Sequence, residues 1–221
     1  MSADTTAPLL IVGSGGQGRE VAQLVADLNR IRPRWDIVGF VDEREELHGK
    51  EWNRIPIVGA KEALSRCGEE PYAVCAIGSP GLRRKAAEEL RALRPSQKFA
   101  TLIHPTAVVG DDLQAEEGTI VCANVVLTTG VRIGRHVLID YGVTVGHDAQ
   151  LESYATLLPG CHVSGNVRIG EETSLGAGTV VIQNVTVGRQ ATIGAGSVVV
   201  RSLPDRCKAY GVPAKPVTAH S

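Results

Sequence analysis

"VCANVVLTTGVRIGRHVLIDYGVTVGHDAQL", residues 121–151, decides the fold. Steps of six through it land on Val121, Leu127, Ile133, Ile139, Val145 and Leu151. The same step runs from Ile103 to Val199 without slipping, through seventeen positions of which sixteen are Ile, Leu or Val and the other is Ala115. A helix repeats every 3.6 residues and a strand every two, so neither alone sustains a six-residue register. The residue four places on is mostly small or β-branched, as at Ala107, Thr119, Val125, Val143, Ala155 and Cys161. The residue one place on is often glycine, as at Gly110, Gly134, Gly146, Gly170, Gly176, Gly188 and Gly194. Such a repeat is one structural unit stacked many times. It predicts a triangular prism of short parallel strands, one face and one corner per hexad and three hexads per coil, so that each residue stacks on the one eighteen places away. The aliphatic residue fills the interior, and the glycines are expected to supply unusual backbone angles.

One hexad of the prism carries chemistry. In "VGHDAQ", residues 145–150, His147 stands two places after the interior Val145, so it points outward near a corner, with Thr129 and Gly165 as coil neighbours. Histidine titrates near neutral pH, so an outward His147 is suited to taking a proton from a bound reactant. The adjacent carboxylate of Asp148 can orient the ring and favour its charged form. The plain alternative is a polar corner residue. Among the other histidines, His104 reads as the entry to the first coil, and His136 as a corner residue suited to a subunit interface. His162 precedes an interior valine, and His48 and His220 belong to no motif.

Upstream of about residue 100 the period changes. "PLLIVG", "WDIVGFVD" and "YAVCAIGS" read as strands, and "GQGREVAQLVADLNR" and "GLRRKAAEELRAL" as helices. Strands alternating with helices predict a small parallel Rossmann-like α/β sheet. Two domains are therefore expected, an α/β domain over residues 1–100 and the prism with its tail over 101–221. "RIPIVG" contains Pro56 and reads as an edge strand. "GSGGQG", Gly13–Gly18, has the G-x-G-x-x-G spacing between a strand and a helix, where glycine lets the backbone approach a phosphate and the helix N-terminus favours an anion. Gly13, Gly15, Gly16, Gln17 and Gly18 are thus candidate ligand contacts. Asp42 ends the second strand, where a ribose-binding acid would sit, and Gly78 and Ser79 lie at the C-terminal edge of the sheet, where open α/β sheets bind ligands. Arg83 or Arg84 fits a phosphate contact or a solvated helix face. A bound NAD and a purely structural turn are the rival readings of the loop.

Composition narrows the class. The chain has 221 residues, a formal net charge of −1 and no like-charge block, so no basic surface points to nucleic acid. No apolar run approaches a membrane span, and "MSADTTAPLL" lacks the features of a signal peptide. Cys67, Cys75, Cys122, Cys161 and Cys207 are scattered without C-x-x-C spacing, which fits a reducing, cytoplasmic setting better than a disulfide framework or a zinc site. No His/Asp/Glu cluster has metal-ligand spacing, so no metal is expected.

The hexads resemble the left-handed parallel β-helix of hexapeptide-repeat acyltransferases, and "YGVPAKPV", residues 210–217, resembles the segment that follows it in many of them. "IVGSGGQGREVAQLV", "GFVDE", "IPIVG", "AIGSPGLRRK", "HPTAVV", "VGHDAQL" and "PGCHVSGNVRIGE" add a more specific likeness. Together they resemble the family of sialic acid O-acetyltransferases and nucleotide-linked amino-sugar N-acetyltransferases over nearly the whole chain. The resemblance implies acetyl-CoA as cosubstrate and a nucleotide-linked amino sugar as acceptor. It implies direct transfer with His147 as general base assisted by Asp148, and a homotrimer with its active site at the subunit boundary. It places the nucleotide on the Gly13–Gly18 loop. It gives Gly165 and Ala177 backbone contacts to coenzyme A and Lys215 a coenzyme A phosphate. Two departures stand out: Gln17 occupies a loop position where relatives often carry histidine, and Thr156 replaces a second histidine beside the acetyl donor. The nucleotide (UDP, dTDP or GDP) stays open. O-acetylation of a sialic acid or other glycan hydroxyl remains an alternative, as does a non-catalytic scaffold that binds nucleotide sugars.

Overall fold

The computed structural model describes residues 6–67 and 71–217, so His220 lies outside it. The chain divides into two compact units, one of residues 1–78 and 82–102, the other of 79–81 and 103–221.

The first unit is built on β1 (Ala7–Val12), whose Leu9, Leu10 and Ile11 are fully buried. A strand covered on both faces reads as an unbroken apolar run, which "LLIV" is. β1 pairs in parallel with β2 (Trp35–Val41) on one side and with β5 (Tyr72–Cys75) on the other. β6 (Lys98–Phe99) extends the sheet beyond β5, and β4 (Ile55–Val58) extends it beyond β2. The helices are α1 (Gly16–Ile31), α2 (Ala60–Arg66) and α3 (Pro80–Leu93). α1 buries Val21, Leu24 and Val25 along one stripe, the spacing of an amphipathic helix.

"RIPIVG" is not the edge. β3 (Glu51–Trp52) pairs antiparallel outside β4 and forms the edge itself. Pro56 is tolerated because the parallel ladder to β2 begins after it, at Ile57 and Val58, and asks nothing of the missing N–H.

The second unit is the prism. Seventeen two-residue strands run from β7 (Leu102–Ile103) to β23 (Val198–Val199), and the second residue of each is the aliphatic position of the hexad. Strands pair in parallel across eighteen residues, as Leu127 with Val145 and Val145 with Val163, forming three sheets. These are the faces of a left-handed parallel β-helix. The core is a continuous stack of residues such as Val121, Leu127, Ile139, Leu157, Ile169 and Val181, joined by Val125, Val143, Ala155 and Cys161 from the position four places on. Each such aliphatic side chain contributes about 1.5–3 kcal/mol by leaving water. Val109 in the first coil is 41% exposed, since no coil of the prism lies beneath it.

The corners correct the expectation about glycine. The left-handed backbone falls three places after the interior residue, at every sixth position from Asp112 (φ 59°) through Asp148 (φ 57°) to Gly196 (φ 67°). The glycines one place after the interior residue are needed for space instead. A Cβ on Gly146 would lie 2.6 Å from the Gly165 nitrogen, and one on Gly170 2.4 Å from the Arg189 nitrogen, because the next coil passes directly over them. β24 (Lys208–Tyr210) continues one face, and β25 (Lys215–Val217) folds back antiparallel on it.

Candidate active site

His147 and Asp148 occupy one tight corner. The corner is pinned from both sides: the Asp148 N–H donates to the Thr129 carbonyl (3.1 Å), and the His147 carbonyl accepts from the Asn166 N–H (2.8 Å). His147 Nδ1 donates to Asp148 Oδ2 at 2.9 Å, both side chains being more than half exposed. With the proton of the neutral ring on Nδ1, Nε2 keeps its lone pair and can accept a proton. Two glycines make room for the pair. A Cβ on Gly165 would lie 2.4 Å from His147 Nε2, and one on Gly130 would lie 2.7 Å from Asp148 Oδ1. Asp148 adopts a left-handed backbone that Asp tolerates better than most residues.

The implied donor contacts are spread over the prism. Gly165 sits buried beneath the imidazole, on the corner after the sheet that holds Thr144–Val145. Ala177 is exposed on the corner that leads into that same sheet, two residues after Leu175. One sheet width therefore separates the His147 corner from the Ala177 corner within a single chain. Lys215 is exposed in β25. Thr156 is 1% exposed and so offers no surface to a ligand in this chain, although it opens an outward-facing strand position. His136 also departs from expectation: it is 1% exposed and stacked on Tyr154 with ring centroids 5.1 Å apart, tucked under Gly118. His162 Nδ1 lies 2.9 Å from Thr144 Oγ1 on the exposed face, and His104 Nδ1 accepts from the Thr106 N–H within its own turn. Burial pushes the Cys161 thiol up to about 11 and the Cys75 thiol up to about 12, so both stay neutral and non-nucleophilic. Among the described residues no group of three or more His, Cys, Asp or Glu could hold a metal ion, and no helix is long and apolar enough to cross a membrane.

In the α/β unit a cavity of about 880 Å³ opens at the C-terminal end of β1. Gly13, Gly15, Gly16 and Gln17 line it, with Asp42 and Gly78. The Gly15 N-cap makes no side-chain capping bond and the first turn of α1 holds no acid, which leaves that helix terminus suited to an anion. Among the described residues the buried Gln17 Nε2 has no hydrogen-bond partner. Gly13 needs its positive φ of 102°.

Three expected contacts fall elsewhere. Gly18 does not line the cavity; a Cβ there would lie 2.0 Å from the Gly13 carbonyl oxygen, so it serves the close packing of α1 on the turn. Ser79 does not line it either. Arg83 is neither a phosphate contact nor solvated: it is fully buried and donates from Nη1 to the Ile77 and Gly78 carbonyls at 2.6 and 3.2 Å. Sequence reasoning missed Arg44 and the wall formed by Leu82, Ala86 and Leu90 of α3, whose helical spacing was visible but whose direction was not. It also missed His48, whose Nε2 donates to the Asp42 carbonyl at 2.8 Å and steadies the loop after β2.

Asp42 is fully engaged. Its Oδ2 accepts from the Ser14 N–H (3.0 Å), the Ser14 hydroxyl (2.5 Å) and Arg44 Nη2 (2.9 Å), and its Oδ1 accepts from the Arg44 N–H (3.1 Å) and Nε (2.9 Å). The Arg44 side chain holds this carboxyl well below the usual carboxylate range, against the opposing effect of burial and with help from Ser14. The expected ribose acceptor thus has its lone pairs occupied by protein donors.

An outward histidine–carboxylate pair on a left-handed β-helix, in one chain with an α/β unit that carries a glycine-loop cavity, defines the class of hexapeptide-repeat acetyltransferases. Residues 8–90 match the PglD N-terminal domain and residues 166–201 the bacterial transferase hexapeptide (six repeats). The chain is 30% identical over 172 residues to the GDP-perosamine N-acetyltransferase of Escherichia coli O157:H7, covering 77% of this chain and 76% of that protein. It superposes on the acetyltransferase domain of PglB from Neisseria gonorrhoeae FA1090, solved with acetyl coenzyme A, at a TM-score of 0.86 and 35% identity, covering 96% of this chain and all of that one. PerB from Caulobacter crescentus, solved with CoA and GDP-perosamine, gives a TM-score of 0.86 at 31% identity over 98% of this chain and all of that one. The chain belongs to the PglD-type family of hexapeptide-repeat N-acetyltransferases and is an acetyltransferase.

Proposed function

We propose that this protein transfers the acetyl group of acetyl-CoA directly to the amine of a nucleotide-linked amino sugar, with His147 as general base. The observation that carries this reading is the His147–Asp148 pair: a 2.9 Å hydrogen bond at an exposed corner, with the Nε2 edge over Gly165. The α/β unit holds the nucleotide at the Gly13–Gln17 loop. As the amine attacks the thioester carbonyl, Nε2 takes its proton, Asp148 steadies the imidazolium, and a backbone N–H of the prism stabilises the oxyanion. The sulfur leaves as coenzyme A thiol. Ala177 and Gly165 contact the pantetheine arm, and Lys215 contacts a phosphate of the donor.

The working form is a homotrimer. The six-stranded face presents Val108, Val126, Thr144, His162, Val180 and Val198 outward, whereas the five-stranded face presents Gln114, Arg132, Gln150, Arg168 and Thr186. An apolar face flanked by the His147 corner on one edge and the Ala177 corner on the other supports packing against a second copy, which brings the two corners together. The cell compartment that fits is the cytoplasm.

A thiol-release assay with acetyl-CoA and UDP-, dTDP- and GDP-linked 4-amino sugars tests the reading. Release with one amino sugar, and none with its hydroxyl counterpart, is expected. Turnover with glycan hydroxyls alone would make the protein an O-acetyltransferase, and binding without turnover would make it a scaffold.

A further inference from the structure

We propose that Arg44, rather than Asp42, is the side chain of the α/β cavity that engages the substrate's phosphates, and that Asp42 and Ser14 act through it as positioning residues. This rests on the reading of the 880 Å³ cavity as the nucleotide-sugar pocket.

The charged residues lining the cavity are Asp42, Glu43, Arg44, Lys85 and Glu89. Lys85 is held between two carboxylates, 3.8 Å from Glu43 and 3.4 Å from Glu89, on α3. Arg44 is different. Asp42 grips its Nε and Nη2 in a two-pronged bond, and Nη2 reaches within 3.5 Å of the Ser14 hydroxyl. The guanidinium is thereby fixed beside the glycine loop, at the end of the uncapped α1 terminus. Nη1 carries two further N–H groups, and among the described residues the hydrogen bonds of this side chain run from Nε and Nη2.

Arginine presents a planar fork that matches phosphate oxygens. An arginine already pinned by a carboxylate has lost most of its rotamer freedom before the ligand arrives, which favours binding. The carboxylate, in contrast, has no lone pair to give a ribose hydroxyl unless Arg44 lets go. The ligand chemistry that fits is a diphosphate, its oxygens shared between Nη1 and the N–H groups of the loop. The sugar and base lie along the apolar wall of Leu82, Ala86 and Leu90.

Calorimetric titration of the full-length protein with GDP, UDP, and the 2′,3′-dideoxy form of each tests the assignment, in the parent, Arg44→Gln, Arg44→Lys and Asp42→Asn. Arg44→Gln is expected to weaken the better-bound diphosphate by at least about tenfold, the loss of one charge-assisted contact. Arg44→Lys should fall between, keeping the charge without the fork. Asp42→Asn should also weaken the diphosphate, by less, and should leave the preference for ribose over dideoxyribose as it is in the parent. The result that overturns the proposal is the reverse pattern: diphosphate affinity unchanged in Arg44→Gln, with Asp42→Asn erasing the ribose preference. A parent that binds neither diphosphate removes the nucleotide reading as well, whereas the reverse pattern leaves that reading standing.

Discussion

At the scale of single residues, the site depends on side chains that are missing as much as on those present. His147 and Asp148 stand in gaps left by Gly165 and Gly130. Gly165 has an ordinary backbone, so Gly165→Ala strains nothing locally, yet its Cβ would meet the imidazole at 2.4 Å and push the ring from Asp148. Turnover is expected to fall about tenfold or more, as misplacing a catalytic group does, with the melting temperature nearly unchanged. Steady-state kinetics beside a melting curve check this, and an unchanged turnover would show that the ring has no fixed seat. Asp148→Asn should cost less than loss of His147, since it weakens orientation and leaves the base in place. The outward place of His147 was legible because the hexad fixes which residue faces in. The hydrogen bonds of Asp42 were not, because they depend on Ser14, 28 positions away, and on an arginine two places on. Arg83 was misread because arginines are rarely buried, and only the fold shows the Ile77 and Gly78 carbonyls that satisfy it.

At the scale of elements, the strands of the prism were legible one by one because each interior residue repeats the same task. The corners were not. Their left-handed positions hold Gly, Asn and Asp but also His136, Tyr154, Glu172, Gln190 and Arg206, so no single residue type marks them. In the α/β unit β3 and α2 escaped notice, being too short to show a period. The loop after β2 is clipped to the glycine loop by Asp42. Because this carboxyl is held below its unfolded value, its stabilisation is complete above the unfolded value near 3.8 and is lost as pH falls through the lower folded one. Acid unfolding of the α/β unit should therefore start below about pH 4 in the parent, the range of an ordinary aspartate. Asp42→Asn is expected to be less stable at neutral pH and to lose part of that acid dependence. Denaturant melts from pH 3 to pH 7 would show it, and equal pH slopes in both proteins would contradict the clip. Each unit carries its own core, so a chain beginning near residue 101 is expected to fold, bind acetyl-CoA and lose affinity for the nucleotide sugar. Retained sugar-nucleotide affinity in that fragment would move the acceptor site out of the α/β unit.

At the scale of the whole molecule, the proposed function divides the labour between a unit that recognises and a prism that transfers. The prism exposes an apolar face between the His147 and Ala177 corners. Light scattering at micromolar concentration is expected to give the mass of three chains of 23.4 kDa, and a stable monomer would leave the His147 and Ala177 corners a sheet apart. The family was legible from motifs spread over the chain, while the choice of nucleotide was not, because the cavity proposed to hold it is walled by five separate segments, 12–17, 41–44, 60, 76–78 and 82–93. Proton removal at His147 is the central step of the proposed mechanism. The most direct test is thiol release by His147→Ala at saturating acetyl-CoA. Turnover lowered at least about a hundredfold is predicted, the lower range for a general base, with acetyl-CoA affinity and melting temperature close to the parent's. A variant that keeps most of its activity and the parent's dependence on pH would reduce His147 to a polar corner residue.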